Sequence, residues 1–215
     1  MTFQNRRDAG RRLALLLEKF RDARPIILGL PRGGVVVGHE IAKALDAPLD
    51  VLVVRKLGAP GAEEFAIGAV APGATLLNRE LMGALGVTRD YVSRLIVRQT
   101  DEMARRELVY RGNRPALPVE GRTVILVDDG LATGATAQAA VQSLRAQRPR
   151  QIIFAAPVCS PDGAEALRSV TDEVVCLECP QNFGAVGYYY RDFSPTNDAE
   201  VVRCLRGGDD SRIPA

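Results

Sequence analysis

The chain has 215 residues, 47% apolar and 25% charged, the balance of an ordinary globular protein with length for one well-cored domain and an appendage. Lys plus Arg number 28 against 26 acids, a net charge of +2, so bulk charge gives no case for a nucleic acid or membrane partner, and neither is expected. The apolar stretch Leu13-Ala-Leu-Leu-Leu17 is hemmed in by Arg11, Arg12, Glu18 and Lys19; it is too short for a signal core or a membrane span, and a cytoplasmic location is expected.

In chain order, residues 5–20 place Leu13, Leu16, Leu17 and Phe20 on one helical stripe. Pro25-Ile-Ile-Leu-Gly-Leu30 is a short apolar run stopped by Pro31-Arg-Gly-Gly34, and residues 35–45 are again periodic. Asp50-Val-Leu-Val-Val54 repeats the pattern and leads into Arg55-Lys56. Runs so short and continuous predict strands covered on both faces. Phe65-Ala-Ile-Gly-Ala-Val-Ala71, Pro72-Gly73 and Ala74-Thr-Leu-Leu77 together predict a hairpin. Thr88 then caps a predicted helix of about 24 residues, about 36 Å long. Val92, Leu95, Ile96 and Met103 supply its packing side, and Asp101–Arg105 and Glu102–Arg106 are acid-before-base pairs on its exposed face.

The strand–helix alternation then resumes. Val124-Ile-Leu-Val127 is a strand, and residues 134–147 form a helix packing through Ala137, Val141 and Leu144. Gln151-Ile-Ile-Phe-Ala-Ala-Pro157 is a strand, residues 164–170 a short helix, and Glu173-Val-Val-Cys-Leu177 a fifth strand. This predicts an α/β fold: a mainly parallel five-stranded sheet with helices on both faces, joined by right-handed crossovers. One domain over residues 1–206 is expected, with an insertion at about 58–112, an aromatic hood at about 179–204, and a disordered tail at 207–215.

The chemistry concentrates where Val124-Ile-Leu-Val127 runs into Asp128-Asp129 and then Gly130-Leu-Ala-Thr-Gly-Ala-Thr136. Parallel sheets bind ligands beyond the carboxyl ends of their strands. A helix opening after Gly134 presents free N–H groups and a positive dipole end, an anion site to which Thr133 and Thr136 add hydroxyls. Two carboxylates beside a phosphate cradle suit a ribose 5-phosphate, its hydroxyls bound directly or through a divalent cation that offsets the repulsion.

The segment D-D-x-x-x-T-G-x-T after four apolar residues resembles the phosphoribosyl-diphosphate (PRPP) signature of the type I phosphoribosyltransferases, and is most like bacterial proteins assigned to that family by sequence. The resemblance implies the family's fold and an Mg²⁺-dependent transfer from PRPP to a nitrogenous, nucleobase-like acceptor, releasing pyrophosphate, in a homodimer. It assigns the ribose hydroxyls and the metal to Asp128 and Asp129, and the 5-phosphate to Ala132, Thr133, Gly134, Ala135 and Thr136. Gly29-Leu-Pro-Arg-Gly-Gly34 resembles the family's pyrophosphate loop, with Pro31, Arg32, Gly33 and Gly34 as binding residues. Arg55 and Lys56 are expected at the same rim as pyrophosphate-binding residues, at least one of them on the pyrophosphate or its metal unless both are simply exposed. Glu63-Glu64 falls at the family's mobile loop, as a catalytic acid or a solvated turn, and closure of residues 58–70 would exclude water.

Many 6-oxopurine enzymes of the family carry an acid where this chain has Ala132, which points away from them. Phe183, Tyr188, Tyr189 and Phe193 stack on the acceptor or simply pack the hood. Two alternatives share the same site: a PRPP-sensing regulator, and a hydrolase of phosphoribosyl esters. His39, one turn into its helix, reads as structural. Cys176 and Cys179 form a lone C-x-x-C that, with Cys159 and Cys204, reads as reduced packed thiols rather than a zinc site.

Overall fold

The computed structural model describes residues 2–207; apart from Gly207, the tail expected at 207–215 lies outside them. Helix α1 (Arg6–Leu17) leads through a 3₁₀ segment to β1 (Ile26–Gly29), α2 (Gly33–Leu45) and β2 (Leu49–Val51). A second unit follows, with β3 (Arg55–Ala59), β4 (Ala62–Ala71), β5 (Ala74–Leu77), α3 (Arg79–Ala84) and α4 (Arg89–Arg111). The chain returns through β6 (Thr123–Val127), α5 (Ala135–Ala146), β7 (Gln151–Val158), α6 (Pro161–Arg168), β8 (Glu173–Glu178) and α7 (Asp198–Leu205).

The parallel sheet has the order β2-β1-β6-β7-β8. Both faces are dry. Ile26, Leu28, Val124, Leu126, Ile152 and Phe154 pack towards α5 and α6, and Ile27, Ile125, Val127 and Ile153 towards α1 and α2. Side chains alternate along a strand, so covering both faces requires each run to be apolar throughout. Strand order reverses between β1 and β6, the point where a crevice opens beyond the carboxyl ends. At that point Gly29 lies opposite Val127.

Around this core the structure departs from the sequence expectation in two places. The apolar run at 50–54 is not one strand. β2 stops at Val51, Leu52 joins the core under α5, and Val53 packs with Met103 and Tyr110 of α4. A continuous apolar run does not reveal which surface covers it. Arg55 and Lys56 therefore do not end β2 at the rim. They open β3, opposite Val70 and Ala69 of β4, in a separate antiparallel sheet with order β3-β4-β5. The hairpin and the Thr88-capped helix are where the sequence placed them, and Thr88 Oγ1 accepts the Tyr91 N–H at 3.3 Å.

Two sets of bonds help tie the insertion back to the core. Ser143 Oγ on α5 donates to the Pro72 carbonyl at 2.5 Å. Arg111, at the end of α4, donates to both oxygens of the buried Asp50, at 2.9 and 3.1 Å. The second departure concerns the hood, which is built from both ends of the chain. Phe3 pairs with Tyr190 as a parallel bridge, its N–H donating to the Tyr189 carbonyl while its own carbonyl accepts from Arg191. α7, inside the expected hood interval, instead packs Val201 and Cys204 against Val35 and Val36 of α2 and against α4. No helix among the described residues is long and apolar enough to cross a membrane.

Candidate functional site

β6 delivers Asp128 and Asp129 to the switch point. Asp128 Oδ1 accepts the Asp129 N–H at 2.8 Å, which turns the chain out of the strand. Burial pushes the Asp128 carboxyl well above the usual carboxylate range, and the adjacent Asp129 charge pushes it further. The loop after β1 lies directly on this pair. A Cβ at Gly34 would stand 2.4 Å from the Val127 carbonyl oxygen, and one at Gly33 only 1.9 Å from Asp129 Oδ2. At Gly34 the two loops touch backbone to backbone, which only glycine permits, whereas at Gly33 the space is taken by the Asp129 carboxylate and the Arg6 guanidinium. Arg32 caps α2 and turns outward, its Nη1 3.9 Å from Asp198 Oδ1. Asp198 also accepts the Tyr110 hydroxyl at 2.8 Å; burial first, then that bond, raises the Tyr110 pKa to about 12.

Downstream, Leu131 is stitched to β7, its N–H donating to the Val158 carbonyl and its carbonyl accepting from Ser160 N–H, both at 2.8 Å. Ser160 Oγ donates to the Ala132 carbonyl at 2.5 Å and accepts the Gly163 N–H at the start of α6. Gly134 then takes φ +78° and opens α5 with no side-chain cap. The bond from Gln138 N–H to the Gly134 carbonyl leaves the N–H groups of Ala135, Thr136 and Ala137 ahead of the helical ladder. Ala132 and Thr133 are exposed, while Thr136 is half-buried. The arrangement is an uncapped helix terminus facing solvent beside two carboxylates, which suits an anion with hydroxyl groups nearby.

Arg6, which the sequence reading did not single out, reaches this pair from α1. Its Nε donates to Asp129 Oδ2 at 2.6 Å and its Nη1 to the Ser194 carbonyl at 2.8 Å, with its guanidinium carbon 3.9 Å from the centre of the Phe193 ring. Tyr190, outside the sequence candidates, joins it from the hood: its hydroxyl donates to the Asp129 carbonyl at 2.6 Å, and Val186 sits against Gly130. Burial and the nearby Asp129 charge raise the Tyr190 phenol above its usual range. Only the tyrosine triplet could have flagged the hood contact, and nothing local flags Arg6.

The other sequence candidates separate. Arg55 and Lys56 line a cleft of about 180 Å³ with Glu63, Tyr91 and Arg98 in the insertion, and Arg55 Nε donates to Gln99 Oε1 at 2.9 Å. Phe183 stacks on Tyr189 at 5.7 Å, Phe193 lies between Tyr190 and Arg6, and Tyr188 is 80% exposed. His39 is buried; its Nδ1 lies 3.1 Å from the Cys204 carbonyl, Nε2 is without a partner among the described residues, and burial lowers its pKa. Cys159, Cys176, Cys179 and Cys204 form no disulfide with one another.

The chain belongs to the phosphoribosyl transferase domain family, whose family model matches residues 4–193. It is 43% identical to TT1426 from Thermus thermophilus, whose crystal structure superposes with a TM-score of 0.83 over 97% of this chain and 100% of that one. It is also 44% identical over 204 residues to "Putative phosphoribosyl transferase Rv0571c" of Mycobacterium tuberculosis (strain ATCC 25618 / H37Rv), covering 94% of this chain but 46% of that protein. The chain thus spans about half the length of that curated relative. A third relative, "Bifunctional protein PyrR" of Leifsonia xyli subsp. xyli, is 32% identical over 133 residues, 60% of this chain and 55% of that one.

Proposed function

We propose that the chain transfers a phosphoribosyl group from PRPP to a nitrogenous acceptor with release of pyrophosphate. The observation that carries this reading is the contact between the Gly33-Gly34 loop and the Asp128-Asp129 pair, beside the uncapped start of α5. A diphosphate, a diol and a monophosphate are the three groups those elements suit, and PRPP carries all three on one ribose. The N–H groups of Ala135, Thr136 and Ala137, with the Thr133 and Thr136 hydroxyls, would hold the 5-phosphate. Asp128 and Asp129 would accept from the ribose hydroxyls. Their negative charge would also favour the cationic sugar that forms as the bond from C1 to pyrophosphate breaks. Backbone N–H groups of the 31–34 loop, and Arg32 after leaving Asp198, would face the departing pyrophosphate.

Magnesium fits this donor set. Among the described residues no group of three or more His, Cys, Asp or Glu could hold a metal alone. An ion held by one or two carboxylates and completed by substrate phosphates is the usual magnesium arrangement. Asp128, with the free oxygen of Asp129, would be its protein ligands, and the ion would neutralise charge growing on the leaving group. The hood over Gly130 would limit water at C1, so that transfer outpaces hydrolysis. The small Ala132 favours an acceptor other than a 6-oxopurine, and the hood aromatics are candidates to stack on it. A homodimer in the cytoplasm is part of the same reading.

The test is to incubate the protein with PRPP and Mg²⁺ against a panel of bases and amines while following pyrophosphate. Release that depends on one acceptor is expected. Equal release without any acceptor would mean hydrolysis, and tight PRPP binding with no turnover would mean a sensor.

A further inference from the structure

Counter-charge for the acid pair comes from the chain itself. Arg6 comes close to the 31–34 loop, since a Cβ at Gly33 would stand 2.6 Å from its Nε. Its side chain is 12% exposed and is held on three sides, by Asp129, by the Ser194 carbonyl and by the Phe193 ring. α1 is anchored by Leu13 and Leu17 under the sheet, so this guanidinium stands on a rigid element rather than a mobile arm. Asp8 accepts from Arg12 and Asn5 caps the helix, which leaves Arg6 to the acid pair. Arginine keeps its charge throughout the pH range in which proteins fold, and its planar fork resists reorientation once two of its edges are engaged.

Two adjacent carboxylates ordinarily call for a bound cation. We propose that Arg6 is a positioning residue of the donor site, a built-in counter-ion that occupies Asp129 Oδ2 and keeps the acid pair from loading a free divalent ion. Its part in catalysis rests on the transferase reading above. There, the metal arrives with the donor's pyrophosphate instead of waiting on the carboxylates, and Asp129 stays turned towards the loop that receives that pyrophosphate.

The experiment needs no donor. Mn²⁺ binding to the ligand-free protein is followed by electron paramagnetic resonance in wild type, Arg6→Gln and Arg6→Lys. Wild type and Arg6→Lys should bind weakly, while Arg6→Gln should bind about tenfold more tightly or better, the size of one close charge–charge interaction. The gain should vanish when Asp128→Asn is added. Exchange protection of the Phe3 and Arg191 amides reports hood closure in the same samples. An Arg6→Gln protein with wild-type Mn²⁺ affinity would overturn the proposal; with lost hood protection as well, it would show Arg6 to be a strut for the hood. Arg6→Met, equally neutral and of similar length, gives the same readout where the glutamine variant does not fold. A wild type that fails to bind PRPP would sink the transferase reading and leave this measurement decisive.

Discussion

Two arginine–aspartate pairs in this chain share their chemistry and differ in everything around it. Asp50, on β2, is 6% exposed and accepts from Arg111, from the Leu117 N–H at 3.1 Å and from the Val51 N–H at 2.8 Å. Every lone pair of consequence has a donor, so the pair is a rivet fastening α4 to the sheet edge. Asp129, on the loop after β6, receives one bond from Arg6 and lies beside Asp128, whose proton affinity is raised by burial and by that neighbour. A saturated carboxylate holds structure together, whereas an under-served pair of carboxylates at a switch point is ready for a ligand's hydroxyls.

The largest expected effect breaks the rivet. Arg111→Ala strands a buried carboxylate and should destabilise the protein by about 3–5 kcal/mol in urea unfolding. A loss under about 1 kcal/mol would show that Asp50 finds water instead. Asp128→Asn with Asp129→Asn should act on turnover instead: PRPP turnover falls by about 10²–10³ in kcat/KM, while the melting temperature falls less than in Arg111→Ala, because relief of the Asp128–Asp129 repulsion offsets part of the lost Arg6–Asp129 pair. Turnover that survives in that double variant would place the donor elsewhere.

A smaller effect is expected at Ser160, a neutral link under the loop that opens α5. Ser160→Ala removes the cap of α6 and the bond to the Ala132 carbonyl. About 1 kcal/mol of stability should go with it, together with a rise in KM for PRPP at little change in kcat. Unchanged KM would mean that the loop does not lean on this hydroxyl. The smallest effect lies on the solvent side of α4, where Glu102 accepts from Arg105 and Arg106 and its pKa is held at about 2 against an ordinary 4.5, chiefly by the Arg105 bond. The folded value is the lower one, so the stabilisation is full above pH 4.5 and is lost as pH falls towards 2. The gap in melting temperature between wild type and Glu102→Gln should therefore narrow from pH 5 to pH 2; a gap independent of pH would discount the pair.

What was legible in the sequence was local. Val124-Ile-Leu-Val127 announces a two-faced strand, and Asp128 to Thr136 are nine consecutive residues, so the acid pair at the strand end and the loop that opens α5 could be placed from residue types and spacing alone. Thr88 marked the start of α4 because capping is decided within one turn. Arg6 could not be read, because it meets Asp129 across 123 positions and nothing in its own helix distinguishes it from Arg7 or Arg11. Arg55 was misplaced for a related reason. Val53 is apolar because of α4, more than thirty-five residues later in the chain, and not because of the sheet it follows. Long-range packing leaves no period in the sequence.

The guanidinium clasp also has a timetable. Arg6 is made early, but its partner Ser194 follows by 188 positions, about 10–40 s of translation at about 5–20 residues/s. β1, α2 and β6 can associate while synthesis continues, yet Arg6 has its Ser194 and Phe193 contacts, and the acid pair its cover, only when the last aromatic segment has emerged. A nascent chain therefore carries the two carboxylates uncovered for seconds, and completion of the hood is the event that closes the acid pair over.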